Sequence, residues 1–195
     1  MAASKAPKIE VCWGWVGPLD AAYHDGEWGV PCHDDQELFE RLMLEGFQAG
    51  LSWSTILAKR ENFHAAFEGW DAHRISDYGS RDIARLMADD GIVRNRLKLE
   101  AAVRNARAYL ALQAEHGSFD RYVWSFVGGS PLPWVARDRL SDVPVTTAQS
   151  EAMSRSLKKA GMTFVGTTIC YAFMQSVGMV NDHLSSCPMR PPPAR

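Results

Sequence analysis

Apolar residues along this chain recur at steps of three and four, and no series of β-branched runs alternates with the period of two that a half-buried strand requires. Leu38, Phe39, Leu42, Met43 and Phe47 form one such stripe, with Asp34 or Asp35 placed to cap the helix that carries it. That helix runs into Gln48-Ala49-Gly50-Leu51-Ser52. A second helix carries Trp53, Ile56 and Leu57, Asp71 caps a short third, and Ser80 starts a fourth through Ile83, Leu86 and Met87. Gly91 breaks that pattern. Asn95 opens a long helix through Leu97, Ala101, Ala108 and Leu112 to Gly117, and Ser118 caps one bearing Tyr122, Val123 and Phe126. After a Gly/Pro loop over 128–133, Thr147 caps a helix that ends at Gly161 behind Lys158 and Lys159, basic residues where the macrodipole favours them. A last apolar helix spans about Val165 to Val177, before Gly178. The periodicity predicts an all-α fold.

Composition narrows the class. The chain has 195 residues, 46% of them hydrophobic, enough for one substantial core. We read a flexible start over 1–9, a single domain of two packed helical lobes over 10–188, and a disordered Pro-rich tail over 189–195. No run approaches the roughly 18–20 apolar residues of a membrane span, and the opening lacks a signal peptide's apolar stretch, so a cytoplasmic monomer without a membrane partner is expected. Four cysteines, two of them placed with histidines, suit metal binding in a reducing compartment better than disulfides. With 21 basic and 23 acidic residues the net charge is −2, which does not advertise a nucleic-acid protein. Arg94, Arg96, Lys98, Arg104 and Arg107 nonetheless cluster, either as a local phosphate-binding patch or as solvated helix faces.

Three groups of residues could carry chemistry. Cys12 and His24 near the start, with His183-x-x-x-Cys187 near the end, supply two thiolates and two imidazoles, a filled tetrahedral shell for a structural Zn²⁺. The alternative is unrelated core cysteines and ordinary histidines. Glu45 falls on the apolar stripe of Leu38 and Leu42, where an unpaired carboxylate is costly; it is either a recognition or catalytic group or the partner of a structural Arg. Trp13, Trp15, Tyr23, Trp28 and Trp53 crowd the same third of the chain, as core or as walls that could sandwich a planar cation. The stretch 80–107 reads as an ordinary αα-corner or as a helix-hairpin-helix whose backbone N–H groups and basic side chains grip a phosphate.

The stretches Tyr23-His24-Asp25-Gly26-Glu27-Trp28-Gly29-Val30-Pro31, Leu44-Glu45-Gly46-Phe47-Gln48-Ala49-Gly50-Leu51-Ser52-Trp53, Lys59-Arg60-Glu61-Asn62, Phe164-Val165-Gly166-Thr167-Thr168-Ile169-Cys170-Tyr171 and Asn181-Asp182-His183 run in order along the chain. In these it resembles the 3-methyladenine DNA glycosylase I family over roughly residues 10–190. The resemblance implies a helix-hairpin-helix glycosylase whose termini are tied by one structural zinc held by Cys12, His24, His183 and Cys187. It makes Glu45 the acid that reads the extruded base and catalyses its release. Tyr23, Trp53, Tyr171 and one or both of Trp13 and Trp15 become base-binding residues. Gly50-Leu51 becomes the loop that fills the gap in the duplex, with the DNA-gripping hairpin at Gly91, Arg94, Arg96 and Lys98. Asp20 stands where an aromatic residue would be expected. The implied partner is duplex DNA with alkylated bases, and the implied activity is hydrolysis of the N-glycosidic bond of 3-methyladenine by base flipping, without lyase activity. Two other classes remain compatible with the residues themselves: a metal-dependent phosphohydrolase, suggested by His24-Asp25, His33-Asp34 and Asp182-His183, and a non-catalytic zinc-clasped DNA-binding module.

Overall fold

The computed structural model describes residues 11–13 and 17–191. The start over 1–9, Trp15 and the last four residues of the tail lie outside the described residues. Within them the chain is helical throughout, with ten α-helices, a few 3-10 turns and no strand. In order the helices are α1 (Pro18–Gly26), α2 (Asp35–Gln48), α3 (Trp53–Leu57), α4 (Arg60–Ala66), α5 (Ala72–Ser76), α6 (Ser80–Ala88), α7 (Arg96–His116), α8 (Phe119–Trp124), α9 (Ala148–Lys159) and α10 (Thr167–Ser176). No helix is long and apolar enough to cross a membrane.

The capping residues set most of these boundaries. Asp34 accepts from the Glu37 N–H at 2.9 Å to start α2, Ser52 accepts from Thr55 to start α3, and Asp71 accepts from His73 and Arg74 to start α5. Asn95 and Ser118 cap α7 and α8 through Lys98 and Arg121, and Gly117 ends α7 in the left-handed region. Two helices, α1 and α4, escape the periodicity reading. Neither has a side-chain cap, and α4 buries only Phe63 and Ala66.

Helix α2 is the central element, packed against α3, α7, α8 and α10. Leu38, Phe39 and Leu42 are fully buried along it, and the stripe joins one continuous core that runs from Cys32 to Val180. Its buried Arg41 donates to the Ser176 carbonyl at the end of α10 and to Glu37 one turn away. The segment after α1 is pinned to the same end of α10: Gly29 N–H donates to Gln175 O at 3.0 Å and Cys32 N–H to Val177 O at 3.1 Å. Gly178 makes that crossing possible. Its φ is +72°, and a Cβ there would lie 2.4 Å from both Pro31 N and Val30 C, so no other residue fits beneath the crossing chain. A small second cluster of Cys12, Leu184 and Cys187 joins the two ends of the chain.

Candidate functional site

A cavity of about 450 Å³ opens between α2, α3, α10 and the loop before α9. Aromatic rings form one side: Trp13, Tyr23, Trp28 and Trp53 all line it. Tyr23 lies 5.2 Å from Trp53, centroid to centroid, and Trp13 meets Trp28 edge-on at the same separation. Trp15 is outside the described residues, so the early tryptophan seen in the wall is Trp13. Across the cavity stand Leu140, Val143, Pro144 and Val145, an apolar wall that the sequence pattern does not reveal.

Glu45 reaches the cavity from the buried face of α2, together with Gln48 one turn on. Burial alone pushes its carboxyl up to about 8, since no ion pair or hydrogen bond offsets the loss of solvent among the described residues. The group is therefore largely neutral at pH 7. Tyr23 is also shifted upward, first by burial and then by the nearby Glu45, so its hydroxyl stays protonated. The indole N–H of Trp53 is buried without a partner among the described residues.

The floor is set by Asp182, which is 3% exposed. It accepts from Tyr171 Oη at 2.6 Å, Gln175 Nε2 at 2.8 Å and Arg137 Nη1 at 2.6 Å. Tyr171 thus lines the cavity, as expected, with its hydroxyl turned to Asp182. Arg137 carries the cavity's far wall with it, because Ser185 N–H donates to Arg137 O and Trp134 Nε1 donates to His183 O. Asp20, where an aromatic was expected, is buried and accepts from Ser54 Oγ at 2.7 Å, tying α1 to α3 beside Trp53.

Next to this cavity the four metal-ligand candidates converge, all buried, their ligand atoms within 4.8 Å of one another. His183 Nδ1 is 3.1 Å from His24 Nε2, 3.4 Å from Cys187 Sγ and 4.0 Å from Cys12 Sγ; Cys187 Sγ is 3.8 Å from His24 Nε2. Bonds of about 2.0 Å to nitrogen and 2.3 Å to sulfur give tetrahedral edges of roughly 3.3–3.8 Å, so the donor set fits one Zn²⁺. The outer atoms fit too. His24 Nδ1 contacts Asp25 Oδ1 at 2.7 Å, and His183 Nε2 contacts Trp28 O at 3.3 Å, which fixes both rings. Burial holds His183 down to about 4, the neutral ligand form, and raises the Cys12 thiol. Two buried thiols facing imidazoles gain from a cation that stabilises their thiolates. His183 and Cys187 approach from a compact loop rather than from a helix.

The residues expected to face DNA fall into two stretches, the 48–52 turn after α2 and the 89–98 segment around the start of α7. Gly50 has φ +81° and open space around its α-carbon, and Leu51 after it is 40% exposed. Arg94, in the connection between α6 and α7, and Arg96, the first residue of α7, are both exposed, Arg96 within 3.7 Å of Glu100. Gly91 is packed against Asn62 and Asp89. Lys98 departs from the expected patch: it is buried, and its ammonium donates to the carbonyls of Phe47 and Ala49. The His-Asp pairs do not build an open metal site, because Asp25 bonds to the far side of the His24 ring, Asp182 is engaged by Arg137, Tyr171 and Gln175, and His33 pairs with Asp120.

Residues 13–190 match the family model described as methyladenine glycosylase. The chain is 50% identical over 181 residues to DNA-3-methyladenine glycosylase 1 of Escherichia coli, covering 92% of this chain and 96% of the relative. It is 48% identical over 178 residues to DNA-3-methyladenine glycosylase of Haemophilus influenzae, covering 90% and 96%. A crystal structure of 3-methyladenine DNA glycosylase I superposes with a TM-score of 0.90 at 48% identity, covering 93% of this chain and all of the other. A variant of such an enzyme in complex with 3-methyladenine superposes with the same TM-score at 35% identity, covering 96% and 100%.

Proposed function

The chain belongs to the methyladenine glycosylase family, and on that premise we propose that it releases 3-methyladenine from alkylated duplex DNA by hydrolysing the N-glycosidic bond, a step of base excision repair. It is a hydrolase of the DNA-3-methyladenine glycosylase class. The observation that carries the reading is the unpartnered carboxyl of Glu45 in an aromatic-walled cavity.

Methylation at N3 makes the base cationic and a good leaving group, so selection replaces strong catalysis. The nucleotide flips out of the stack at a cost of a few kcal/mol, least for a damaged pair, and the base enters between Tyr23, Trp53 and Trp13. As the cationic base enters, Glu45 releases its proton to solvent, and the carboxylate accepts from the exocyclic amine in a charge-assisted hydrogen bond. Gln48 and the Trp53 indole N–H offer further polar contacts at the wall. The N-glycosidic bond breaks with its electron pair going to the base, which leaves as neutral 3-methyladenine, and water adds to the oxocarbenium-like sugar carbon and gives its proton to solvent. The expected activity is hydrolysis without strand cleavage.

On the DNA side, α6 and α7 with the 89–95 connection act as a helix-hairpin-helix, Arg94 and Arg96 face phosphates, and Gly50-Leu51 fills the gap left by the flipped base. Cys12, His24, His183 and Cys187 hold one structural Zn²⁺ that clasps the two ends of the chain beside the cavity, and Trp13, adjacent to Cys12, is thereby held in the wall. A closed four-ligand shell disfavours the phosphohydrolase reading, and the Glu45 cavity disfavours a binding-only module. The test is incubation with methylated duplex DNA, with chromatography of the freed bases and a denaturing gel of the strands. Release of 3-methyladenine with strands intact is expected; no release, or strand cleavage in step with release, overturns the reading.

A further inference from the structure

Lys98 sits among the basic residues that follow Gly91, and charge alone would aim it at a phosphate. Its surroundings say otherwise. It lies in the first turn of α7, 8% exposed, with its ammonium 2.8 Å from Phe47 O and 2.6 Å from Ala49 O. Those carbonyls belong to the last turn of α2, where the helix leaves acceptors unpaired. The Phe164 ring covers the ammonium, its centroid 6.0 Å away.

A second lysine does the same on the other side. Lys59, just beyond α3, donates to Asp90 O at 2.9 Å and Gly91 O at 3.1 Å, and Asn62 Nδ2 reaches Gly91 O at 3.2 Å. Two ammonium groups therefore join three pieces: the end of α2 with Glu45 and Gln48, helix α3 with Trp53, and the 89–98 segment with Arg94 and Arg96. The turn over 48–52 lies between them. It is closed by Leu51 N–H to Gln48 O at 2.7 Å and by Gln48 Nε2 to Leu51 O at 2.9 Å, so Gln48 is at once a wall of the cavity and the clasp of the turn.

We propose that Lys98 is a positioning residue for the reaction: its ammonium fixes the 48–52 turn, and with it Leu51 and Gln48, to the helix that begins at the phosphate-facing connection. Docking of the duplex on that connection thereby places the 48–52 turn against the flipped-out nucleotide. The proposal rests on the glycosylase reading above. With two of its protons on buried carbonyls, Lys98 contributes to rate and not to the number of phosphates neutralised.

The experiment compares Lys98→Met, which has neither charge nor donors, with Lys98→Gln, which keeps donors without charge. Single-turnover release of 3-methyladenine from saturating methylated duplex, the salt dependence of binding to undamaged duplex, and titration with free 3-methyladenine are measured on each. Lys98→Met should lose at least tenfold in single-turnover rate, with free-base affinity within about threefold of wild type and an unchanged salt slope. Lys98→Gln should recover much of that rate. A slope smaller by about 0.9 in both variants would identify a phosphate ligand and overturn the proposal. So would a wild-type rate in Lys98→Met, or equal damage in both variants. Should Lys98→Met fail to fold, Lys98→Gln carries the comparison: loss of slope overturns the proposal, and an unchanged slope with a reduced rate supports it. Wild-type protein that released no base would sink the glycosylase reading first, and the salt slope would still decide whether Lys98 meets phosphate.

Discussion

Replacing Glu45 by Gln separates the cost of a buried acid from its use. Burial raises the folded-state value from 4.5 to about 8, so between those pH values the folded protein keeps a proton that the unfolded chain gives up. The group's contribution is fully present below about pH 4.5 and is lost as pH rises through the folded value. At ~1.4 kcal/mol per unit the loss reaches about 3 kcal/mol at pH 7 and about 5 kcal/mol above pH 8. An amide of the same shape has no proton to lose. Glu45→Gln should therefore match wild type near pH 4.5 and exceed it by about 3 kcal/mol at pH 7, a gain of roughly 6–12 °C in Tm for a chain of this size. Paired thermal melts from pH 4.5 to 8 give the answer.

The same variant should do worse as an enzyme. Loss of a charge-assisted hydrogen bond worth about 1.5–3 kcal/mol lowers kcat/KM for 3-methyladenine release at least tenfold. Because kcat/KM reports the free enzyme, wild type should show a rising limb that flattens near pH 8, and Glu45→Gln should lack it. Parallel stability curves across the pH range would refute the buried neutral acid. A variant less stable than wild type at pH 7 would mean that Glu45 is ionised against a structural partner, and the cavity assignment would fall with it.

Cys187→Ala leaves three metal ligands and opens a clasp spanning some 160 residues; by analogy with long-loop cross-links worth a few kcal/mol, Tm should fall by about 6–12 °C and bound zinc should be lost, which metal analysis and melts with and without chelator check. Gly178→Ala forces a Cβ to within 2.4 Å of the backbone at Val30 and Pro31, so a loss above about 2 kcal/mol in denaturant titration is expected, and less than 1 kcal/mol would show that the crossing chain yields. Reversing both Arg94 and Arg96 to Glu should weaken duplex binding and reduce its salt slope by up to about 1.8 while sparing free-base affinity; equal loss of both would mean that the patch supports the fold.

The helix caps were legible because each is a local bargain between one side chain and the turn after it, and Asp34, Ser118 and Thr147 stand where their polarity says. The quartet of Cys12, His24, His183 and Cys187 was legible as a candidate, since two thiols and two imidazoles make a complete tetrahedral donor set, with core cysteines and ordinary histidines as the alternative; its convergence comes from the fold. The cavity's far wall was not legible. Leu140 to Val145 carry no helical period, and their place depends on contacts across 45 residues or more, Arg137 to Asp182 and Trp134 to His183. Helix α1 begins after an uncapped Gly17, and the sequence does not show that Asp20 inside it is held by Ser54 of α3.

Lys98 is the instructive case, because the signal that singled out Glu45 was present there and pointed the same way. With Ala101, Ala102 and Asn105 it lies on the buried face of its helix, a charge on an apolar stripe. Its basic neighbours Arg94 and Arg96 made it look like part of a surface patch, yet a buried ammonium, like a buried carboxylate, demands partners. Lys98 finds them in the carbonyls that end α2, and Glu45 on that same helix is left without one. In the folded protein the Lys98 ammonium is held by the carbonyls of the turn, and the Glu45 carboxyl lines the cavity with burial alone acting on it, open under the proposed function to a cationic base. On the proposed reading, that division leaves the site one buried acid for the substrate to meet, beside a lysine whose ammonium is engaged in the frame.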